Sequence, residues 1–279
     1  MQIGLVFLSL AFATGFLANA QETPEQKSSR LGRSRASAAI HLKNYDLALQ
    51  LLRAMAANQD PWAEHQLGLL YARGQGVGED ESEAVQWFRK AADRNYAPAE
   101  FSLGAAYMNG AGVPEDVAEG FRWVQQSADQ GYGRAEYFLS WAYFEGMVVG
   151  QDDTEAFKWA KRAADHEWIE AEVFVGQLYA QGRGVDRDDA EAVRWFAKTA
   201  DDDYGLGQAL LGYSYCSGKG VEVDFVKCLQ WLYLADESDE PEAKAATSRI
   251  WPRVNNWITP EQTEAGRQAA TAWRANHPK

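Results

Sequence analysis

Groups that carry out chemistry are few in this chain and lie far apart. Its 279 residues include 4 His and 2 Cys. His41, His65, His166 and His277 form no i, i+4 pair and have no cysteine beside them, whereas a metal site needs three or four converging ligands. No Gly-x-Ser-x-Gly elbow and no Ser-x-x-Lys occurs, so the common serine nucleophiles are missing. Gly218-Lys219-Gly220 looks briefly like a phosphate loop. Gly212 stands one residue too far upstream, however, and position 220 is neither Ser nor Thr. The sequence therefore predicts no catalytic residue, no metal and no cofactor.

Basic charge is also short. The 27 Lys and Arg face 40 Asp and Glu, for a net charge of −13. The excess of acid lies between the two ends, since residues 21–40 and 242–279 are net basic. An acidic body repels phosphate backbones, so nucleic acid is a poor partner and a protein with a basic or apolar contact surface a better one. Keeping an extended chain soluble is the plainer use of the same acidity. Long apolar runs are missing beyond the N-terminus. Ile3 to Phe16 has the length of a signal-peptide core and is too short for a bilayer. Ala18-Asn19-Ala20 supplies the small residues for cleavage before Gln21, although no Lys or Arg precedes the apolar stretch. The expectation is a periplasmic or secreted chain, with an uncleaved N-terminal anchor as the alternative.

What is present is a period. Trp87, Trp123, Trp159, Trp195 and Trp231 are 36 residues apart, and so are Tyr71, Tyr107, Tyr143, Tyr179 and Tyr215. A fixed step of this length means stacked units, each unable to bury its own apolar face. Within one unit, Ala63, Leu67, Gly68 and Tyr71 recur at helical spacing. Gly74 and Gly76 end that helix, and Asp80 with Glu83 starts a second one carrying Ala84, Trp87, Phe88, Ala91 and Ala92. Gly68 and Ala84 let the two helices approach closely, and Trp87 is expected to fill space toward the next unit. The remaining acids read mostly as caps and solvated helix faces.

These residues resemble the Sel1-like repeat, a relative of the tetratricopeptide repeat. The resemblance implies an all-α fold: a right-handed α-solenoid of stacked helical hairpins, about five repeats with terminal capping helices. The expected layout is a signal peptide (1–20), a flexible segment (21–36), an N-terminal capping half-repeat (37–60), five repeats (61–241) and C-terminal capping helices (242–279). It also implies a protein-interaction scaffold that binds on a concave wall built from the first helices; the oligomeric state is left open, with a monomer favoured. Exported relatives that neutralise phospholipase effectors supply the alternative, an immunity protein. Some Cys-rich relatives are linked to β-lactam chemistry, which the missing Ser-x-x-Lys gives no reason to carry over.

On the concave wall the positions are Trp62, His65 and Leu69, then Phe101, Ala105 and Met108, then Tyr137, Trp141 and Phe144. Glu170, Val173 and Gln177, and finally Leu206 and Tyr213, complete it. Phe101 and Tyr137 stand where side chains also pack between repeats. Trp141 and Phe144 are large where the other units vary, so a partner groove is expected at Phe101, Met108, Tyr137, Trp141 and Phe144, rimmed by Glu145 and Glu170. Unit three also breaks the pattern with Ser140 for the packing glycine and Val148 for a loop glycine. Cys216 and Cys228 fall on the two helices of unit five, either bridged or as two buried thiols.

Overall fold

A computed structural model describes residues 23–277, and the expected signal peptide lies outside them. Five hairpins follow the 36-residue step. They are α3 (Pro61–Ala72) with α4 (Glu81–Ala92), α5 (Ala97–Asn109) with α6 (Val117–Asp129), and α7 (Gly133–Glu145) with α8 (Asp153–Asp165). The fourth is α9 (Ile169–Gln181) with α10 (Asp189–Asp201), and the fifth α11 (Gly205–Ser217) with α12 (Phe225–Asp236). The fold is an all-α solenoid.

The second helices start as their sequences require. Asp80, Asp116, Asp152, Asp188 and Asp224 each accept from a backbone N–H two or three residues on, satisfying donors that a helix start leaves free. Close packing inside the hairpins explains Gly68: a Cβ there would lie 2.5 Å from the Phe88 ring. In unit three Ser140 is fully buried and its hydroxyl donates to the Tyr137 carbonyl at 2.6 Å, so the larger residue leaves no unmet donor.

Two expectations about packing change. Trp87 and Trp159 face backward rather than forward. Trp87 packs on the cluster of Leu49, Leu52 and Leu67, and Trp159 on Val124 and Ala128 of the preceding second helix. Residues 24–36, expected to be flexible, form most of α1 (Pro24–His41), which pairs with α2 (Tyr45–Ala57) as a complete hairpin. The signal was there in Gly32, which stands 36 residues before Gly68 and meets Met55 of α2.

At the other end the hairpin opens. The helix α13 (Pro241–Val254) lies beside α11, and a 3-10 turn at Asn255–Trp257 redirects the chain. The last helix, α14 (Pro260–Asn276), then packs back on α12. Trp273 meets Trp231 edge-on, and Arg274 pairs with Asp203 at 2.6 Å. Thus α13 covers the first-helix layer and α14 the second-helix layer.

Candidate functional site

The first helices are those of the expected binding wall, and two of them, α9 and α11, share a cavity with α13. They have few capping side chains of their own: Tyr96, Tyr132, Trp168 and Tyr204 occupy the cap positions of α5, α7, α9 and α11 without a side-chain bond. In α5, α7 and α9 negative charge reaches the first turn through a buried glutamate. Glu64, Glu100, Glu136 and Glu172 recur at the 36-residue step and are all nearly or fully buried. Their partners change: Arg94 for Glu64 at 3.2 Å, Gln130 for Glu100, Arg162 and His166 for Glu136, and Lys198 for Glu172 at 2.8 Å. Reading the acids as caps and solvated faces was therefore wrong for this set. A helix start together with a cation, or with the Gln130 amide in the case of Glu100, is what holds them. Burial pushes the Glu100 carboxyl above its usual value, and the Gln130 hydrogen bond opposes that shift.

The aromatic residues singled out in unit three do converge, around one the sequence reading passed over. Phe174 of α9 is buried, with Trp141 stacked on it at 4.8 Å and 14°. Phe144 meets the same ring edge-on at 5.1 Å and Tyr137 at 6.2 Å. The three α7 side chains stay half-buried, so each offers one face to Phe174 and another outward. They pack between repeats and keep part of their surface exposed. Phe174 could have been suspected from Phe138, one period earlier.

The rim differs from a ring of acids. Glu145 is exposed and Glu170 half-exposed, but the Arg183 guanidinium lies 3.5 Å from the Phe144 ring centroid and pairs with Asp153. Phe101 and Met108 belong to a different cluster, with Val124, Leu139 and Trp159, and do not join the Trp141 group. His65 leaves the concave wall altogether. It is 8% exposed among Phe88, Tyr96 and Ser102, and burial, helped by the Arg73 charge, lowers its pKa to about 4.

Acids gather where units three to five approach α13. Tyr137 and Tyr204 are both pushed above the usual phenol range, by burial first and then by charges that include Glu170 and Glu242. Glu240 accepts from the backbone of Gly205 and Leu206 at 3.0 and 3.2 Å, capping α11 from a distance.

Cys216 and Cys228 are joined by a disulfide, with their Cα atoms 5.3 Å apart, pinning α11 to α12. Among the described residues no group of three or more His, Cys, Asp or Glu is placed to hold a metal ion, and no helix is long and apolar enough to cross a membrane.

Comparison with known proteins returns the family described as Sel1 repeat, matching residues 39–60, 63–96, 97–132, 133–167, 169–204 and 205–235. Among solved structures the chain is similar to a Sel1 repeat protein from Oxalobacter formigenes, at 28% identity and a TM-score of 0.69. That alignment covers 84% of this chain and 97% of the other. It is also similar to a protective antigen present in uropathogenic Escherichia coli strains and displaying an SLR fold, at 29% identity and a TM-score of 0.66. There 89% of this chain aligns with 56% of the other, so this chain spans little more than half of that protein. No curated protein matches.

Proposed function

The chain belongs to the Sel1 repeat family, whose arrays mediate protein–protein interaction, and from that premise we propose that it is an exported scaffold holding one protein partner on its first-helix face. The observation that carries this reading is the half-open group of Tyr137, Trp141 and Phe144, with the carboxylates Glu145 and Glu170 on α7 and α9 and the Arg183 charge beside Phe144 offset by Asp153. Aromatic side chains with one face packed and one face free bind with little loss of conformational entropy, which suits them as anchors. Flanking acids select a basic partner segment and reject an acidic one. The Cys216–Cys228 disulfide accords with an oxidising compartment, as does the apolar stretch Ile3 to Phe16.

Replacing Trp141 is a poor test, since the ring also packs on Phe174. Glu145→Lys with Glu170→Lys leaves that packing intact. The experiment is crosslinked capture from the envelope fraction, read by mass spectrometry, with wild type and this double variant side by side. One stoichiometric partner, lost from the variant at unchanged helicity, is the expected result. Equal recovery by both proteins refutes the assignment of the face. A partner that is a lipid-cleaving toxin, inhibited on binding, makes the chain an immunity protein instead.

A further inference from the structure

Farther along the same wall the chemistry reverses. A cleft of about 580 Å³ has the apolar residues Leu206, Leu210 and Ile250 in its lining, with Tyr213 beside them. A smaller cavity of about 220 Å³ shares Leu210 and Tyr213 with it and reaches Phe196. One edge of the cleft is α13, which presents the exposed side chains of Arg249 and Arg253 one helical turn apart. Neither arginine forms an ion pair with any described residue, and Lys219 adds a third cation 5.8 Å from the Tyr213 ring centroid. Arg183 and Arg274, by contrast, are paired with Asp153 and Asp203. Two arginines without an ion pair thus stand beside an apolar floor that is half-buried at Leu206 and Leu210, on a chain of net charge −13.

The opposite end of the cleft is marked by Glu242, close to Tyr204 and Glu240. From Glu242 to Arg253 a helix rises about 16 Å, the span of roughly five extended residues. The cleft is thus polar along its length, acidic at the start of α13 and basic toward its end.

We propose that this cleft binds an extended peptide segment of about five residues in which apolar side chains are followed by acidic ones. The apolar side chains enter between α11 and α13 over Leu206, Leu210 and Ile250. The carboxylates meet Arg249 and Arg253, whose planar forks suit bidentate pairing. Side chains of a peptide segment can reach the floor of a cleft, whereas a planar anionic membrane could touch the arginines but not the floor. None of Tyr137, Trp141 and Phe144 lines the cleft, although its Glu242 lies near Tyr137, and the site stands whether or not that group binds a partner.

The test uses two blocked peptides, acetyl-Gly-Leu-Phe-Ser-Asp-Asp-amide and its Lys-Lys counterpart, titrated into the 15N-labelled protein. The acidic peptide is expected to shift the amides of Leu206 to Tyr213 and Ala245 to Arg253, and the basic one to leave them in place. Arg249→Glu with Arg253→Glu should weaken acidic-peptide binding at least tenfold, with helicity unchanged because both side chains are exposed. Lys90→Glu, on α4 far along the chain from the cleft, should retain it. No shift at α11 and α13, equal shifts with both peptides, or an unaffected double-glutamate variant would each overturn the proposal. So would arginine-dependent sedimentation with phosphatidylglycerol vesicles in the absence of any peptide-induced shift.

Discussion

A valine with positive φ carries strain that glycine would not. In units two, four and five the second loop glycine is left-handed, and a Cβ there would run into the backbone of Glu81, Asp153 or Asp189. Unit three keeps the left-handed turn at Val148, φ 61°, with the side chain exposed beside Met147. Val148→Gly should therefore raise stability by about 1 kcal/mol, strain relief of about 1–3 kcal/mol being offset in part by unfolded-state entropy. Urea denaturation checks it, and a lower midpoint would show that the loop stores no strain. His65 gives a second prediction. Its folded pKa, about 4, is below the unfolded value near 6.5, so the unfolded state binds more protons between those limits. Stability should then fall as pH drops from 6.5 to 4, by roughly 3 kcal/mol from this residue, and be fully present above 6.5. Urea midpoints measured at intervals across that range should show a shallower slope for His65→Gln than for wild type.

At the scale of elements, the contacts that matter join one helix to the next. Trp141, Phe144 and Phe174 fasten α7 to α9, so Trp141→Ala costs packing as well as any binding. A loss of about 2 kcal/mol is expected, below the 3–5 kcal/mol of a fully buried aromatic, because the ring is half-exposed. Guanidinium titration would measure it, and no change would mean that the stack contributes nothing. The disulfide acts on a single hairpin. Its loop of 12 residues predicts about 3 kcal/mol of stabilisation, concentrated in α11 and α12. Hydrogen exchange after reduction should speed up in those two helices and leave α3 to α6 unchanged. Uniform acceleration would indicate that the array unfolds as one unit.

Over the whole molecule, stability in a stacked array is a sum of units and their interfaces, so the ends matter most. The last hairpin divides its work: α14 shields Leu229 and Trp231 of α12, while α13 shields the first-helix layer. Truncation after Ile258 removes α14 and should lower the melting temperature and loosen α12 before α4. Hydrogen exchange along the chain would reveal that gradient. The inner face is divided too, with an aromatic group under acids around α7 and α9 and a basic-edged cleft at α13.

The period, the hairpins, the acidic caps and the family were legible in the sequence because each depends on residues close together in one unit. Trp141, Phe144 and the two cysteines were legible as departures from that period. The buried glutamates repeat in four successive units, yet their burial shows only when partners about 30 residues later fold back onto them. Phe174 beneath Trp141, Arg183 on Phe144 and His65 below the surface likewise follow from how one unit is set against the next. The cleft at Arg249 and Arg253 depends on the same kind of contact, since it exists only because α13 stays with the first helices while α14 leaves it. Local spacing determined the repeating unit. The tertiary structure decided which side chains neighbouring units cover and which they leave open, because burial is a property of surfaces brought together and not of any one segment.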